Sequence, residues 1–523
     1  MATSFPCARR LIALVAVLSL FFVPALQAQD NGLLREFEQK VTSFTLDNGL
    51  TFVVVERPDA PVVSFHTYAD VGSVDEPMGK TGIAHMFEHM AFKGTTSIGT
   101  EDIEAEMEDL QRMEEVYLEL RRERVKGPQA DSSRVARLEE QFQEAQEAAE
   151  AHIADGEYEN LLERNGVSGL NAYTSSDATG YIYSLPANKL ELFFALESDR
   201  FMNPVLRDFY TERDVVMEER RQRTDSNPVG RLVEEFLATA YKAHPYGQPT
   251  IGHMSDLQKL SRTDAKRFYD TYYNASNLTI GIAGDVDAQR VRALAEQYFS
   301  RLPAGEDPMP VRTDEPEQIG ERRVIIREQT QPFVVIGHHR PSMEHPDDPV
   351  YGVLRDVLGR GRTSRLYKNL VETNEALSVQ VIPSFPGSKY ESLFVLFGVP
   401  SQGVAPDSLE QQIYTQIDRI KDEGITQAEL ERAKTRARAD LIGQLDSNSG
   451  LARQLSRMEA LTGDWRNVFR QLNQLQAVTA ADVQRVAQET FQRSNRTVGM
   501  IKTQERPPPA AASRSGEASP SSN

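Results

Sequence analysis

Residues 261–284, SRTDAKRFYDTYYNASNLTIGIAG, lie over residues 479–502, TAADVQRVAQETFQRSNRTVGMIK, without a gap at an offset of 218. Asp264/Asp482, Arg267/Arg485, Ser276/Ser494, Asn277/Asn495, Thr279/Thr497 and Gly281/Gly499 coincide. Each copy reads as a capped amphipathic helix, a short turn and a strand with β-branched residues. The period is too long for a solenoid repeat, so the simplest account is a duplicated domain; a chance match of two helix-turn-strand units is the alternative.

The two halves also begin alike. TSFTLDNGLTFVVVE (42–56) reads as a hairpin with a DNG turn, followed by the strand PVVSFHTYA and then a helix. The second half has RRVIIRE, then QPFVVIGHHR, then a helix around PVYGVLRDVL. Strands followed by long helices in each half predict an α+β fold of two duplicated domains, each a mainly antiparallel sheet packed by helices. The predicted extents are 40–301 and 321–503, with an acidic, Pro-containing linker at 302–320 and a disordered tail at 504–523. Within the first domain, residues 100–165 change to charge-rich helix. Ile103, Met107, Leu110, Met113, Tyr117 and Leu120 recur at helical spacing, as do Val135, Leu138, Phe142 and Ala145, and Gly127-Pro128 separates the runs. That pattern predicts an inserted helical hairpin, read as a solvated insertion in preference to a partner-binding arm.

The N-terminus carries Arg9 and Arg10, an apolar run from Leu11 to about Leu26, and Ala28 at a cleavage position. It reads as a signal peptide, 1–28, too short to span a membrane and leaving no stable anchor once removed. The chain is therefore expected to be exported, to the periplasm or, alternatively, secreted. Cys7 is the one cysteine and leaves with the signal, so the core has no disulfide framework. The net charge is −19. That balance argues against nucleic acid as a partner.

Two of the nine histidines sit in GIAHMFEHMAFKGT, residues 82–95. On a helix, His85, Glu88 and His89 share a face. Two imidazoles one turn apart can chelate Zn²⁺, and a neighbouring carboxylate that does not bind metal can move a proton from the attacking water to the leaving amine. A core histidine pair is the competing explanation, but burying Glu88 beside it without a cation would cost several kcal/mol. A catalytic zinc usually takes a third protein ligand. The segment TERDVVMEERRQR supplies candidates: Glu212 and Glu219, seven residues apart, share a face, while Glu218 turns away by about 100°. Spacing does not say which of the two binds metal and which orients a ligand histidine.

HMFEHMAFKGT, then NAYTS (171–175), then TERDVVMEERRQ resemble the pitrilysin family of zinc peptidases, the inverzincins, whose signature is H-x-x-E-H with a distant glutamate. The resemblance implies one zinc per chain on His85, His89 and Glu219, Glu88 as general base, Glu212 in support, and Asn171 and Ala172 binding the substrate backbone. It implies a zinc-free second half, where Gly352, Val353, Leu354 and Arg355 stand near the place of a repeated zinc helix. Family members draw an Arg/Tyr pair from a non-zinc domain, and SKYESLFVLFGVP contains no Arg. That points to a dimer, with a second copy or with a zinc-less paralogous subunit. NAYTSSDATGYIYSLP itself reads as two strands, the first at a sheet edge, where an extended peptide can add as a further strand. The expected activity is hydrolysis of short or unfolded peptides. The competing functions are a non-catalytic subunit of a larger assembly, a presequence-processing peptidase, which the apolar N-terminus disfavours, and a zinc-binding module, which has no use for Glu88.

Overall fold

In the computed structural model, which describes residues 34–504 apart from 36 and 307, the two copies of the repeat occupy the same place in two separate sheets. The first sheet contains β1 (Val41–Thr45), β2 (Thr51–Glu56), β3 (Val62–Ala69), β4 (Ser168–Thr174), β5 (Thr179–Pro186) and β6 (Leu278–Gly284), in the order β1-β2-β6-β3-β5-β4. The second contains β7 (Arg322–Glu328), β8 (Phe333–Arg340), β9 (Ala376–Phe385), β10 (Ser392–Pro400) and β11 (Arg496–Thr503), in the order β7-β11-β8-β10-β9. Apart from the extra edge strand β1, the orders match strand for strand. In each sheet the repeat's own strand runs parallel to one neighbour, β2 or β7, and antiparallel to the other, β3 or β8. The expected α+β class and mainly antiparallel pairing are what the chain adopts.

The helices that bear on function are α1 (Ile83–Met90), α2 (Ile103–Arg124), α3 (Ser132–Glu150), α4 (Phe209–Arg220), α5 (Pro228–Ala240), α6 (Asp348–Gly359), α7 (Gln427–Leu445) and α8 (Asn448–Thr462). β3 and β6 are buried along almost their whole length because helices cover both faces of the sheet. One face packs its own half's helices. The other is covered from across the molecule: α8 of the second half lies over β2, β3 and β6, and α5 of the first half lies over β7, β8 and β11. This exchange explains why the repeat keeps a glycine at Gly281 and Gly499. A methyl at Gly281 would collide with the Ala452 carbonyl oxygen of α8, and one at Gly499 would come within 2.7 Å of Val335 Cγ1 and 3.2 Å of Leu232 on α5. Leu232, Phe236 and Leu455 are fully buried at these crossings, and each such side chain stabilises the joined halves by about 2 kcal/mol. His66 of β3 is sealed there too. Its Nδ1 lies 2.7 Å from Ser456 Oγ on α8 and its Nε2 3.1 Å from the Tyr173 hydroxyl on β4, and burial, aided by Arg453 and Arg457, lowers its pKa to about 3.

The hairpin forms as α2 and α3, each capped by an aspartate (Asp102, Asp131), with Tyr117 and Phe142 rings 5.5 Å apart in its seam. It is more than a solvated insertion, because one side is bonded to the chain leading into α4 and to α4 itself. Glu106 and Arg207 form a fully buried ion pair at 2.8 Å, Tyr210 donates to Glu114 at 2.6 Å, and Arg213 donates to the Tyr117 hydroxyl at 2.7 Å. Polar groups this deep must be paired, and here they pair across the insertion boundary. Residues 308–320 carry no helix or strand; Glu315 tethers them by accepting from the backbone N–H groups of Lys242, Ala243 and His244. The expected signal peptide and all but Gln504 of the expected tail lie outside the described residues. No helix among the described residues is long and apolar enough to cross a membrane.

Candidate metal centre

α1 starts abruptly at Gly82, whose φ of +89° is left-handed and whose missing side chain leaves room for the backbone of Ile251 and Gly252. Buried Glu76 accepts from Gly82 N and Ala84 N, both at 2.8 Å, so a carboxylate sits against the positive end of the helix. Ile83, Met86, Phe87 and Met90 are buried, and Phe87 packs on the rings of Tyr269 and Tyr273 at 5.4 and 5.0 Å. With those residues held in the core, His85, Glu88 and His89 are presented to α4.

α4 answers with Glu212 and Glu219. Glu219 Oε2 lies 3.7 Å from His85 Nε2 and 3.4 Å from His89 Nε2, and the three donors are within 4.8 Å of one another. Ligands placed tetrahedrally about zinc at roughly 2.0–2.1 Å are about 3.4 Å apart, so the spacing suits one shared ion. The other oxygen of Glu219 is engaged by Arg223 at 2.7 Å, from a π turn (Arg221–Asp225) that follows α4. Oε2 is buried and takes part in no hydrogen bond among the described residues, an arrangement that a cation would relieve. His89 Nδ1 lies 3.2 Å from Glu212 Oε2, which directs Nε2 into the cluster, and Lys93 Nζ holds the other oxygen of Glu212 at 2.6 Å. Two imidazole nitrogens and one carboxylate oxygen form a donor set that zinc accepts.

The electrostatics are uneven across the three. Burial lowers the His85 pKa, whereas the hydrogen bond to Glu212 raises that of His89. Burial opposes ionisation of Glu212, but bonds from His89 and Lys93 outweigh it and hold the carboxyl below its usual range. The corner therefore attracts positive charge, as a proton on His89 or as a metal in its place. Glu88 is only partly buried and makes no side-chain hydrogen bond or ion pair among the described residues, so its carboxylate is free for water.

The structure brings His85, His89 and Glu219 together, with Glu212 behind His89 and Glu88 on the same helix as the two histidines. Glu218 points away and pairs with Arg221 at 2.8 Å. Asn171 and Ala172 lie on β4, which borders α1 and, among the described residues, pairs only with β5, so that its outer backbone edge takes no strand partner there. His244 accepts from Tyr246 N, a structural role; no second metal-capable group occurs among the described residues. Sequence reasoning missed Lys93, Arg223, Glu76 and the Glu106–Arg207 pair. Lys93 and Arg223 stand four residues beyond His89 and Glu219, a spacing that could have identified them. Glu76, in an irregular segment, and a pair 101 residues apart leave no such trace.

A duplicated α+β frame with a His-His-Glu cluster in its first half is the plan of a two-domain metallopeptidase. The family description "Insulinase (Peptidase family M16)" matches residues 51–116 and 149–253, the gap falling within the hairpin, and "Peptidase M16 inactive domain" matches 259–437. The zinc protease PqqE of Helicobacter pylori is 30% identical over 94% of this chain and 98% of its own length, and the β subunit of the mitochondrial-processing peptidase of Saccharomyces cerevisiae is 23% identical over 87% and 89%. The crystal structure of a protease from Helicobacter pylori superposes with a TM-score of 0.73 at 28% identity, covering 88% of this chain and 99% of that one. The chain belongs to the M16 family of insulinase- and pitrilysin-like peptidases.

Proposed function

We propose that the protein is a zinc endopeptidase with one zinc per chain, held by His85, His89 and Glu219, that hydrolyses short or unfolded peptides in an exported compartment, the periplasm. The observation that carries this reading is the pairing of a buried, unbonded Glu219 oxygen, aimed at two histidine Nε2 atoms, with an unengaged Glu88 beside them. Zinc, when bound, supplies a Lewis acid that polarises the scissile carbonyl. The chain's own residues do the rest. Glu212 and Lys93 fix the ring orientation of His89, and Arg223 keeps Glu219 presenting one oxygen. Glu88 accepts the proton of the attacking water and returns it to the departing amine. The open edge of β4, with Asn171 and Ala172, receives the peptide as an added strand, which gives affinity independent of side-chain sequence.

The compartment rests on the N-terminal apolar segment. The pairing of this chain with a second copy or a zinc-less paralogue is supported by a relative that is by name a subunit. The alternative, a non-catalytic zinc-retaining subunit, predicts the same metal content without turnover. Incubating the full chain, alone and with any co-expressed neighbour, with an internally quenched peptide separates the two. Chelator-sensitive cleavage that Glu88→Gln abolishes supports the enzyme, and zinc-loaded protein that never cleaves contradicts it.

A further inference from the structure

The second half contains a cleft of about 840 Å³ at the place that corresponds to the metal centre of the first. Strand register fixes the correspondence on one side. Asn171 pairs with Ile182, which pairs with His66, as Gln380 pairs with Phe397, which pairs with Val335. The helix caps fix it on the other side, since Asn227 and Ser447 each cap onto a glycine three residues on, Gly230 and Gly450. Where His85 and His89 line the cluster, Arg355 and Gly359, also one turn apart, line the cleft, and Ala439 and Asp440 of α7 take the place of Glu219. The metal donors are gone, and the space they and Arg223 would fill is open, Gly443 among its walls.

What replaces them is basic. Arg360 is bonded to Asp440 and Arg355 to Asp356 at 2.7 Å, so those two charges are balanced locally. Arg453, on the first turns of α8, is exposed at the cleft and makes no ion pair or side-chain hydrogen bond among the described residues. It is an unbalanced cation in a chain of net charge −19. Its position also ties the cleft to the substrate edge. α8 crosses the first sheet beside His66, whose ring stacks on Tyr173 with centroids 6.1 Å apart, and Tyr173 follows Ala172 on β4. The charges of Arg457 and Arg453 reach Tyr173, where they oppose the upward pull of burial on its pKa.

We propose that this cleft is a subsite for a carboxylate of the bound peptide, recognised by Arg453, so that the half without a metal selects substrates for the half with one. The proposal deepens the peptidase reading and rests on it for the identity of the ligand. A guanidinium suits a carboxylate because its N–H groups match the two oxygens.

The test uses full-length Glu88→Gln protein, which holds a peptide without turnover, and a fluorescent pentapeptide in three forms: free C-terminus, amidated C-terminus, and internal Glu replaced by Gln. The expected result is binding about tenfold weaker for whichever form lacks the recognised carboxylate, with Arg453→Gln removing that preference and Arg267→Gln, an exposed arginine in the first half, leaving it intact. Which form loses affinity identifies a terminal or a side-chain carboxylate as the recognised group. Equal binding of all three forms, or a preference that survives Arg453→Gln, overturns the subsite. Cleavage of a quenched peptide by the wild-type chain is measured alongside. Its absence together with an Arg453-dependent preference would overturn catalysis and leave the subsite standing.

Discussion

α1 follows β3 and α6 follows β8, yet the two helices put different chemistry at the same station of the fold. α1 has eight residues and is preceded by an irregular segment in which Glu76 braces its first turn; α6 has twelve and starts soon after its strand. One turn apart on α1 stand His85 and His89, facing an oxygen of Glu219 that makes no hydrogen bond among the described residues. On α6 stand Arg355 and Gly359, and the carboxylate across from them, Asp440, is already paired with Arg360. Around both stations the frame is unchanged: the same strand order, the same crossing helix from the opposite half, the same glycine beneath it. Among the described residues a donor set for a metal occurs in the first half and not in the second, so the difference between the halves lies in a few side chains and their partners.

The widest gap between the halves should open at Glu88. Glu88→Gln is expected to reduce peptide turnover by about 10²–10⁴-fold with zinc content unchanged, read by steady-state kinetics beside metal analysis. Next comes the hairpin, which has no counterpart in the second half. Glu106→Gln leaves Arg207 with an unbalanced charge in the core and is expected to destabilise by about 3–5 kcal/mol, seen as a lower midpoint in urea. A midpoint within error of wild type would return the hairpin to a solvated appendage. Glu212→Gln removes the anion that orients His89, and the expected loss is about 10–100-fold in zinc affinity or activity. The two glycines allow a sharper contrast. Both alanine variants are expected to cost about 1–3 kcal/mol, Gly281→Ala more than Gly499→Ala, because a rigid carbonyl blocks the first and movable side chains the second. Equal costs would mean that the crossings differ less than their contacts indicate. Smallest of all, Arg355→His is expected to add no metal, since its station has no unengaged carboxylate.

Much of this could be read from the chain. The 218-residue offset announced two equivalent sheets, because a helix-turn-strand unit keeps its caps and its crossing glycine when duplicated. His85, Glu88, His89 and the Glu212/Glu219 face followed from helical spacing, which is local. The exchange of α5 and α8 was invisible, since which face a buried strand gives to which helix depends on contacts hundreds of residues apart. The bracing by Glu106–Arg207 and Glu76 was hidden for the same reason: each is a lone charged residue until its partner is in place. The cleft escaped notice because it is made by absences, a glycine or alanine where the other half has a ligand.

On the proposed reading, one half of the duplicated frame binds zinc and the other does not. Metal analysis of purified full-length protein and its His89→Ala variant, with circular dichroism to show that both are folded, tests it most directly. One zinc per chain is expected in the wild type and essentially none in the variant. A wild-type chain with no zinc or with two, or a folded variant that keeps its zinc, would contradict it.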